Sequence, residues 1–491
     1  MRNGARFDWA RHVMGALLCA GLMACGSGVN LEPRDSAPGS GLPAEGSGLE
    51  QQSREAEAVD IRVRLESIPG LTVLSDTWVN GFRFFILDYE QPVDHQHPGG
   101  ARFQQRLSLM HRSTAAPMVL DTEGAVLFAE PIPSEPADLL QANQLAVEHR
   151  YFGTSRPDSP DWSKLTVRQA AADIHRVVEA FKPLYRSRWL STGVFKGGTA
   201  ALTHRYFHPD DVHATVPYAT HHSRGLQDER HAHFLRKEAG DSACREKLFA
   251  VQRAALSRRE ALRPFIEALA EQGFTFEVLG EDRALEFAVV ELPFSFWEFY
   301  GFGWTCDDIP AANVTDEELF AWVSYVSEFE YVFSDQGMEE EAPLHYQQAT
   351  ELGGPGHAQA HLRPLLRYAG EDVPTRFPPL DVAKRYEPWT MLRVETWLRH
   401  EAKRVLLVYG DLSPWSASAF EVSARNDSYR VIATDSIGFY STLSLLPEPQ
   451  RGFLLGRLSA WAGVPVQLPE VGADTLRRAA GVRPPRAHLA R

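Results

Sequence analysis

Residues 189–198 read WLSTGVFKGG, which is an apolar strand followed by a glycine-flanked turn and the start of a helix. In the G-x-S-x-G motif this context holds a nucleophilic serine on a tight turn above the edge of a sheet, and small flanking residues allow the turn. The middle position here is Phe195, whose ring carries no nucleophile. A packing turn between a strand and a helix would explain the same glycines, so the motif does not establish chemistry by itself.

A second candidate for chemistry is a dense group of histidines, His221, His222, His231 and His233. Two pairs about ten residues apart could ligate zinc, which accepts histidine nitrogen in tetrahedral sites. No tightly spaced cysteine or carboxylate completes such a set, so the pattern favours a solvated hinge. We expect no metal ion and no other cofactor.

The elements that must position these residues alternate between strands and amphipathic helices. The helix predicted over residues 167–181 has Ala171, Ile174, Val178 and Phe181 at helical spacing. Strands that alternate with such helices indicate a mainly parallel sheet covered on both faces. The predicted strands are residues 82–89, 103–110, 117–121, 143–148, 189–194, 404–409 and 429–433, and a closing helix covers residues 449–461.

Between residues 223 and 356 the pattern changes to long charged helices, such as residues 244–270, and to an aromatic run over residues 294–304. We interpret this stretch as an insertion in the α/β core. The aromatic run is most simply the core of the insertion, and a wall of a peptide-binding cleft is the alternative.

Length and composition limit the class of protein. The chain has 491 residues, of which 44% are hydrophobic and 23% are charged, and this excludes a wholly disordered, collagenous or polytopic membrane protein. The formal net charge is −14. Because nucleic-acid binding requires a basic face that neutralises phosphates, we expect no nucleic-acid partner.

The first 24 residues are predicted to be an export signal, since three arginines precede an apolar run over residues 13–24 that is short for a membrane span. Residues 22–25 read LMAC, which is similar to a bacterial lipobox, where the cysteine is lipidated and the peptide is cut before it. Lipidation of Cys25 predicts an exported, membrane-anchored lipoprotein of the bacterial cell envelope. An ordinary secretory signal cut near Ala24 is the alternative. Residues 25–58 are predicted to be a disordered linker.

Removal of the signal and lipidation of Cys25 would leave two of the four cysteines, Cys244 and Cys306. In an oxidising compartment an even pair favours a disulfide, which would stabilise the fold by about 4 kcal/mol in the chain-entropy model. Two buried free thiols are the alternative.

Three blocks of sequence carry a resemblance to a known family. Residues 147–157 read VEHRYFGTSRP, residues 191–200 read STGVFKGGTA and residues 208–212 read HPDDV. They resemble segments of the secreted bacterial tripeptidyl aminopeptidases, serine-peptidase family thirty-seven, which are relatives of the lysosomal prolyl carboxypeptidases. The resemblance implies an α/β-hydrolase core with a helical cap. It also implies a Ser, Asp and His triad in that chain order, in which His takes the Ser proton and Asp orients the imidazole.

None of the three triad positions holds the residue that the family implies. The nucleophile position is Phe195, the acid position is Ser413 and the base position is Phe439. Asp411, two residues before Ser413, is an alternative acid. Because residues 401–487 contain no histidine, no local shift of the alignment restores the base. Covalent and general acid/base catalysis need these groups, so we predict a catalytically silent hydrolase fold.

The resemblance makes Lys196 and Glu123 the candidates for the oxyanion hole. Glu123 follows an apolar strand, where such hydrolases place an oxyanion-hole loop. A carboxylate at Glu123 or Glu148 could hold the free amine of a peptide by a charge-assisted hydrogen bond. A surface or structural carboxylate is the alternative at both positions.

Three functions follow as hypotheses. The first is a serine aminopeptidase-like lipoprotein without activity that binds peptides with a free N-terminus in the former cleft. The second is an active hydrolase with a rearranged site that uses Ser191, Thr192 or Thr199 with a histidine from the cap. The third is a cell-envelope scaffold with a vestigial cleft. The predicted divisions of the chain are a signal peptide over residues 1–24, a linker over 25–58, the core over 59–222 and 357–467, a helical cap over 223–356 and a flexible tail over 468–491.

Overall fold

The structure, a computed structural model, describes residues 59–301, 304–437 and 441–468. Several sequence predictions fall outside these residues. They are the signal segment, Cys25, the linker up to residue 58, Phe439 and the tail from residue 469.

The described residues form one mixed sheet of nine strands in the order β1-β2-β3-β5-β4-β6-β7-β8-β9. Neighbouring strands are antiparallel in the first part of this order, from β1 to β5. All later neighbours in the order, from β5 to β9, are parallel. The strands are β1 (Leu71–Val79), β2 (Phe82–Pro92), β3 (Arg102–His111), β4 (Met118–Thr122), β5 (Asn143–Val147), β6 (Trp189–Val194), β7 (Ala214–Tyr218), β8 (Leu406–Gly410) and β9 (Tyr429–Ala433).

The helices lie before, between and after these strands. In the core they are α1 (Ile61–Glu66), α2 (Glu135–Leu139), α3 (Val167–Phe181) and α4 (Lys196–Phe207). Between β7 and β8 they are α5 (Glu229–Lys237), α6 (Ser242–Ser257), α7 (Arg259–Glu267), α8 (Glu281–Glu298), α9 (Asp316–Ser327), α10 (Phe329–Val332), α11 (Asp335–Glu340), α12 (Ala342–Gln347) and α13 (Trp389–His400). The last is α14 (Gln450–Ala462), and 3₁₀ or π turns lie at Trp162–Lys164, Ala268–Gln272, Gln348–Leu352, Ala360–Leu365, Pro374–Arg376, Pro414–Ser418, Ala424–Asn426 and Leu443–Leu445.

Helices cover both faces of the sheet. Leu120 of β4 belongs to a core cluster that contains Val177 and Phe181 of α3, whereas the adjacent Val119 belongs to a cluster that contains Leu458 of α14. Successive side chains of a strand point to opposite faces. The central strands β5, β7 and β8 are buried at every position, as expected for parallel strands between two helical layers. The predicted α/β-hydrolase fold is therefore confirmed.

One predicted helix is wrong in extent. The stretch over residues 244–270 is divided into α6 and α7, because Arg258 leaves helical geometry with ψ of 16°. The guanidinium of Arg258 then contacts Asp316 and the carbonyl oxygen of Val314 at the start of α9. These contacts join the junction of α6 and α7 to the start of α9.

The helices from α5 to α12 form the cap, whose core contains most of the predicted aromatic run. Phe296 and Trp297 are at most 1% exposed, and Trp304 donates a 2.9 Å hydrogen bond from Nε1 to the carbonyl oxygen of Phe296. Cys244 at the start of α6 is joined by a disulfide bond to Cys306, 62 residues along the chain. The bond ties the loop after α8 to the second cap helix.

Candidate functional site

The glycine-flanked turn has the geometry of a nucleophile elbow. Phe195 lies between β6 and α4 with φ of 51° and ψ of −120°, a region that costs a bulky residue about 1–3 kcal/mol. Its backbone N–H donates to the carbonyl oxygen of Tyr218 at 3.0 Å, and its carbonyl oxygen accepts the Thr220 hydroxyl at 2.9 Å. A Cβ at Gly197 would lie 2.2 Å from the carbonyl oxygen of Thr122, so the turn requires glycine there.

A cavity of about 590 Å³ lies against the elbow, between the core and the cap. The half-buried ring of Phe195 is part of its wall and does not fill it. Among the described residues that line the cavity, eight carry carboxylates and one, Lys196, carries a lysine or arginine cation. The carboxylates are those of Asp121, Glu123, Glu130, Glu135, Glu298, Glu328, Glu340 and Glu341.

Lys196, the first residue of α4, contributes its side chain to the cavity wall. Its Nζ donates a hydrogen bond to the carbonyl oxygen of Gly124 and lies 4.7 Å from the centre of the Phe152 ring. Burial lowers the pKa of Lys196 to about 7, although the Glu341 carboxylate favours the charged form. Burial thus weakens the one lysine or arginine charge among the described residues that line the cavity.

Lys196 stays a candidate for the oxyanion hole, whereas the backbone contacts of Glu123 contradict that role. Lys196 occupies the first turn of α4, where backbone N–H groups have no intrahelical acceptor. The prediction that Glu123 donates in the oxyanion hole is wrong, because its backbone N–H already donates to the carbonyl oxygen of Val147 at 3.2 Å. Glu123 is among the residues that line the cavity, as the amine-binding prediction requires.

Glu148 does not line the cavity, and its role as an amine ligand is corrected. The residue is 2% exposed. Its Oε2 accepts hydrogen bonds from the Ser155 backbone N–H at 2.9 Å and from the Ser155 hydroxyl at 2.6 Å, while Oε1 accepts from the Leu127 N–H at 3.0 Å. A carboxylate with these buried donors is a structural group that holds the loop after β5.

The acid position lies in the turn that follows β8. Ser413 is completely buried, and within the described part of the chain its hydroxyl has no hydrogen-bond partner. The alternative acid, Asp411, accepts a 3.1 Å hydrogen bond from the Ser436 backbone N–H and is not among the residues that line the cavity. Asp411 as an alternative acid stays a prediction, because the base position that it would have to reach lies outside the described residues.

The base position, Phe439, lies outside the described residues, and the histidine in the cavity wall is His221. Its ring stacks on Trp415 with centroids 3.8 Å apart, and burial lowers its pKa to about 3. Trp415 in turn donates from Nε1 to Oε1 of Glu298 at 3.0 Å, which links the turn after β8 to cap helix α8. His221 is a neutral part of an aromatic wall.

The hydroxyls of the rearranged-site hypothesis are engaged elsewhere. Ser191 and Thr215 share a 2.9 Å hydrogen bond between hydroxyls, and Thr192 donates to the carbonyl oxygen of Val216 at 2.8 Å. The Thr199 hydroxyl lies 3.2 Å from the carbonyl oxygen of His221. In the portion of the chain that the structure describes, none of the three is hydrogen bonded to a histidine ring.

The four grouped histidines point to different partners and do not form a zinc site together. Nδ1 of His222 lies 3.2 Å from Glu395, and Nε2 of His231 lies 2.8 Å from the Ser418 hydroxyl. His233 is exposed, 3.3 Å from a carboxylate oxygen of Glu238.

Sequence reasoning missed Glu135, which is among the residues that line the cavity. Its carboxylate accepts hydrogen bonds from the Tyr218 hydroxyl at 2.8 Å and from the backbone N–H groups of Leu443 and Ser444 at 2.9 Å each. Burial raises the pKa of Glu135, and these donors oppose that effect. No motif around residue 135 gives a signal for this role, because its partners are distant in sequence.

Comparison with known proteins assigns the family. A model of the PS-10 peptidase S37 family matches residues 54–480. The chain is 37% identical over 425 residues to the prolyl tri/tetrapeptidyl aminopeptidase of Streptomyces mobaraensis, a match that covers 85% of this chain and 88% of the relative. It is also similar to the solved structure of VinJ, with a TM-score of 0.35 and 10% identity over 79% of this chain and 99% of the relative. A proline iminopeptidase of Mycobacterium smegmatis matches with a TM-score of 0.35 and 14% identity over 80% of this chain and 99% of the relative. The protein with this elbow, cavity and cap belongs to the peptidase S37 family of serine peptidases.

Proposed function

We propose that this chain is a catalytically silent member of the family that binds peptides with a free N-terminus in the acidic cavity above the elbow. The observation that carries the proposal is Phe195 at the nucleophile position, on a turn that keeps a φ of 51° beside a cavity of about 590 Å³. The site has thus kept its shape without the hydroxyl that acyl transfer requires.

The absence of activity is supported by the acid position as well. Covalent catalysis by serine needs a nucleophile, a base that removes its proton and an acid that orients the base. Phe195 supplies no nucleophile, and Ser413 places a neutral hydroxyl where the carboxylate would lie. His221, the histidine in the cavity wall, has its ring stacked on Trp415.

The charge and size of the cavity favour a cationic peptide terminus as ligand. Eight carboxylates line it, and the single lysine among its described lining residues has a pKa of about 7. Carboxylates focused in a concave site attract positive ligands, and charge-assisted hydrogen bonds to an ammonium are strong. A volume of about 590 Å³ is within the range of small-ligand sites. Apolar walls at Phe128, Phe299 and Leu344 would accept peptide side chains.

The test combines a hydrolysis assay with calorimetry. We expect no turnover of aminoacyl, dipeptidyl or tripeptidyl chromogenic substrates and no labelling by a fluorophosphonate probe. A tripeptide with a free amine should bind at least about tenfold more tightly than its N-acetylated form, which is about 1.4 kcal/mol. Turnover that a serine-directed inhibitor abolishes would disprove the silent site.

A pair of matched variants tests which carboxylate holds the amine. We propose Glu123, since it is one of the acidic residues that line the cavity. Glu123→Gln should lower the affinity of the protein for the free-amine tripeptide and leave its affinity for the acetylated form unchanged. Glu179→Gln, at an exposed position of α3, removes the same charge outside the cavity and should have no effect. Equal affinities for free and acetylated peptides would favour a scaffold with a vestigial cleft.

We also propose that Cys25 carries a lipid and that the protein is anchored to the bacterial cell envelope. The LMAC segment and the polar residues after it support this proposal. Expression in a diderm bacterium should give membrane-bound protein that incorporates labelled palmitate, and Cys25→Ser should abolish the label. Unlabelled wild-type protein in the soluble periplasm would indicate ordinary secretion.

A further inference from the structure

The side chains of Glu291, His357 and Asp372 lie close together, with Glu291 half-buried. One ligand-type atom from each lies within 4.8 Å of the other two. Glu291 belongs to α8, whereas His357 and Asp372 belong to the chain that leads from the cap back to the core. The side chains of His357 and Asp372 are 5% and 6% exposed, and Nε2 of His357 lies 3.8 Å from Oδ2 of Asp372.

In this cluster the Glu291 carboxyl forms a hydrogen bond with the carboxyl of Asp372. Within the described residues Oδ2 of Asp372 receives no hydrogen bond. A buried carboxylate oxygen without a donor is costly, and a second carboxylate beside it increases the cost. Either a proton shared by the two carboxyls or a cation bound between the three side chains would relieve this cost.

We propose that Glu291, His357 and Asp372 bind one divalent zinc-type cation. Zn²⁺ accepts imidazole nitrogen and carboxylate oxygen at about 2.0–2.2 Å, so tetrahedral ligands lie about 3.3–3.5 Å apart. The 3.8 Å separation of the His357 and Asp372 atoms needs only a small contraction to match. Ca²⁺ and Mg²⁺ prefer sets of six or more oxygen ligands, including water, and a site with an imidazole fits them poorly.

The cation would join the cap to the wall of the cavity. Glu291 and Phe294 lie three residues apart on one face of α8. The Phe294 ring contacts Trp415, with centroids 4.7 Å apart, and His357, with centroids 6.0 Å apart. A metal at Glu291 would therefore hold the aromatic wall in place from behind, without contact with the cavity itself.

A second cluster, His175, His208 and Asp211, serves as the internal comparison. There Oδ2 of Asp211 already accepts from Nδ1 of His175 and from Nε2 of His204, at 2.8 Å each. Because this carboxylate has its partners, the cluster gives no reason to expect an ion.

The experiment measures zinc bound to the full-length protein after chelation, addition of Zn²⁺ and desalting. We expect about one zinc per chain by mass spectrometry and a melting temperature that rises with Zn²⁺, since a ligand that binds only the folded state stabilises it. His357→Gln and Asp372→Asn should each lower the zinc affinity at least about tenfold. His208→Gln, in the comparison cluster, should leave it unchanged.

Glu291→Gln, which is nearly isosteric, keeps the test decisive if another variant fails to fold. Loss of zinc binding in that variant supports the site. Wild-type protein that binds no zinc, or binding that persists in the variants of Glu291, His357 and Asp372, would overturn the proposal and leave a shared proton as the positive group in the cluster.

Discussion

The rings of Phe195 and Trp415 lie with centroids 6.0 Å apart and planes inclined by 49°, so the side chain at the nucleophile position contacts the turn that follows β8. The resemblance to the family places the acid of the triad in that turn at position 413, two residues before Trp415. In this protein the turn meets residue 195 through a contact between two aromatic rings.

Phe195→Ser is expected to destabilise the protein without creating activity. Removing a half-buried aromatic ring should cost about 1–3 kcal/mol, and a lone hydroxyl without a base is a poor nucleophile. Thermal unfolding and a tripeptidyl substrate assay check the two parts. Phe195→Ala is the matched control and should behave in the same way. Peptidase turnover in the Ser variant alone, or a melting temperature at or above that of wild type, would contradict this account.

Phe195→Ser, Ser413→Asp and Phe439→His together are the minimum set for restored hydrolysis, because they replace all three triad positions. We expect the triple variant to exceed every single variant in turnover of a tripeptidyl substrate. A single variant that equals the triple variant would reveal a base that the matched positions do not include.

Ser413→Ala should leave stability unchanged or raise it by up to about 1 kcal/mol, because the buried Ser413 hydroxyl has no hydrogen-bond partner among the described residues. Ser418→Ala is the comparison, since its hydroxyl lies 2.8 Å from Nε2 of the buried His231. That variant should lose about 1–2 kcal/mol. Denaturant unfolding of both variants measures the contrast, and a larger loss for Ser413→Ala would indicate that its hydroxyl has a partner.

Lys196→Met tests the pH dependence of the buried amine. The folded protein holds the pKa of Lys196 at about 7, below the ordinary value of 10.5. Between these two pKa values the unfolded chain binds more protons than the folded protein, so the stability of the wild type rises with pH relative to that of the Met variant. The destabilisation caused by burying the charged amine is fully present below about pH 7. Melting temperatures at about pH 6.5 and 9.5 check the sign. Lys237→Met, on the exposed surface of α5, should show no such window.

Glu148→Gln should destabilise the protein by about 1–3 kcal/mol, because the amide replaces a carboxylate oxygen that accepts from Leu127 or Ser155. Peptide affinity should not change, since Glu148 does not line the cavity. If the variant had normal stability and bound the peptide more weakly, Glu148 would be a ligand of the peptide and not a structural group.

Local patterns in the sequence predict much of the core. The helix over residues 167–181 has a regular apolar face and a threonine cap, and it matches α3 at both ends. Strands β1 and β7 were missed for two reasons. β1 alternates poorly because Ser75 and Asp76 interrupt its apolar positions, and the five-residue β7 contains Pro217, which argues against a central strand.

The candidate site is only partly predictable because its groups come from separate parts of the chain. Phe195 and Ser413 follow from local motifs. The role of Glu148 does not, since a carboxylate that binds a ligand and one that binds backbone N–H groups look alike in sequence. Glu135 and Glu298 reach the cavity from α2 and α8, and only tertiary packing places them there.

The backbone at residue 195 is held by Tyr218 and Thr220 through groups that every amino acid other than proline possesses. Whatever side chain is placed there will therefore emerge into the same space. Position 195 is consequently a fixed attachment point for a spectroscopic reporter. A fluorophore coupled to Phe195→Cys would lie in the wall of the acidic cavity, where its emission would report ligand binding without a hydrolysis assay.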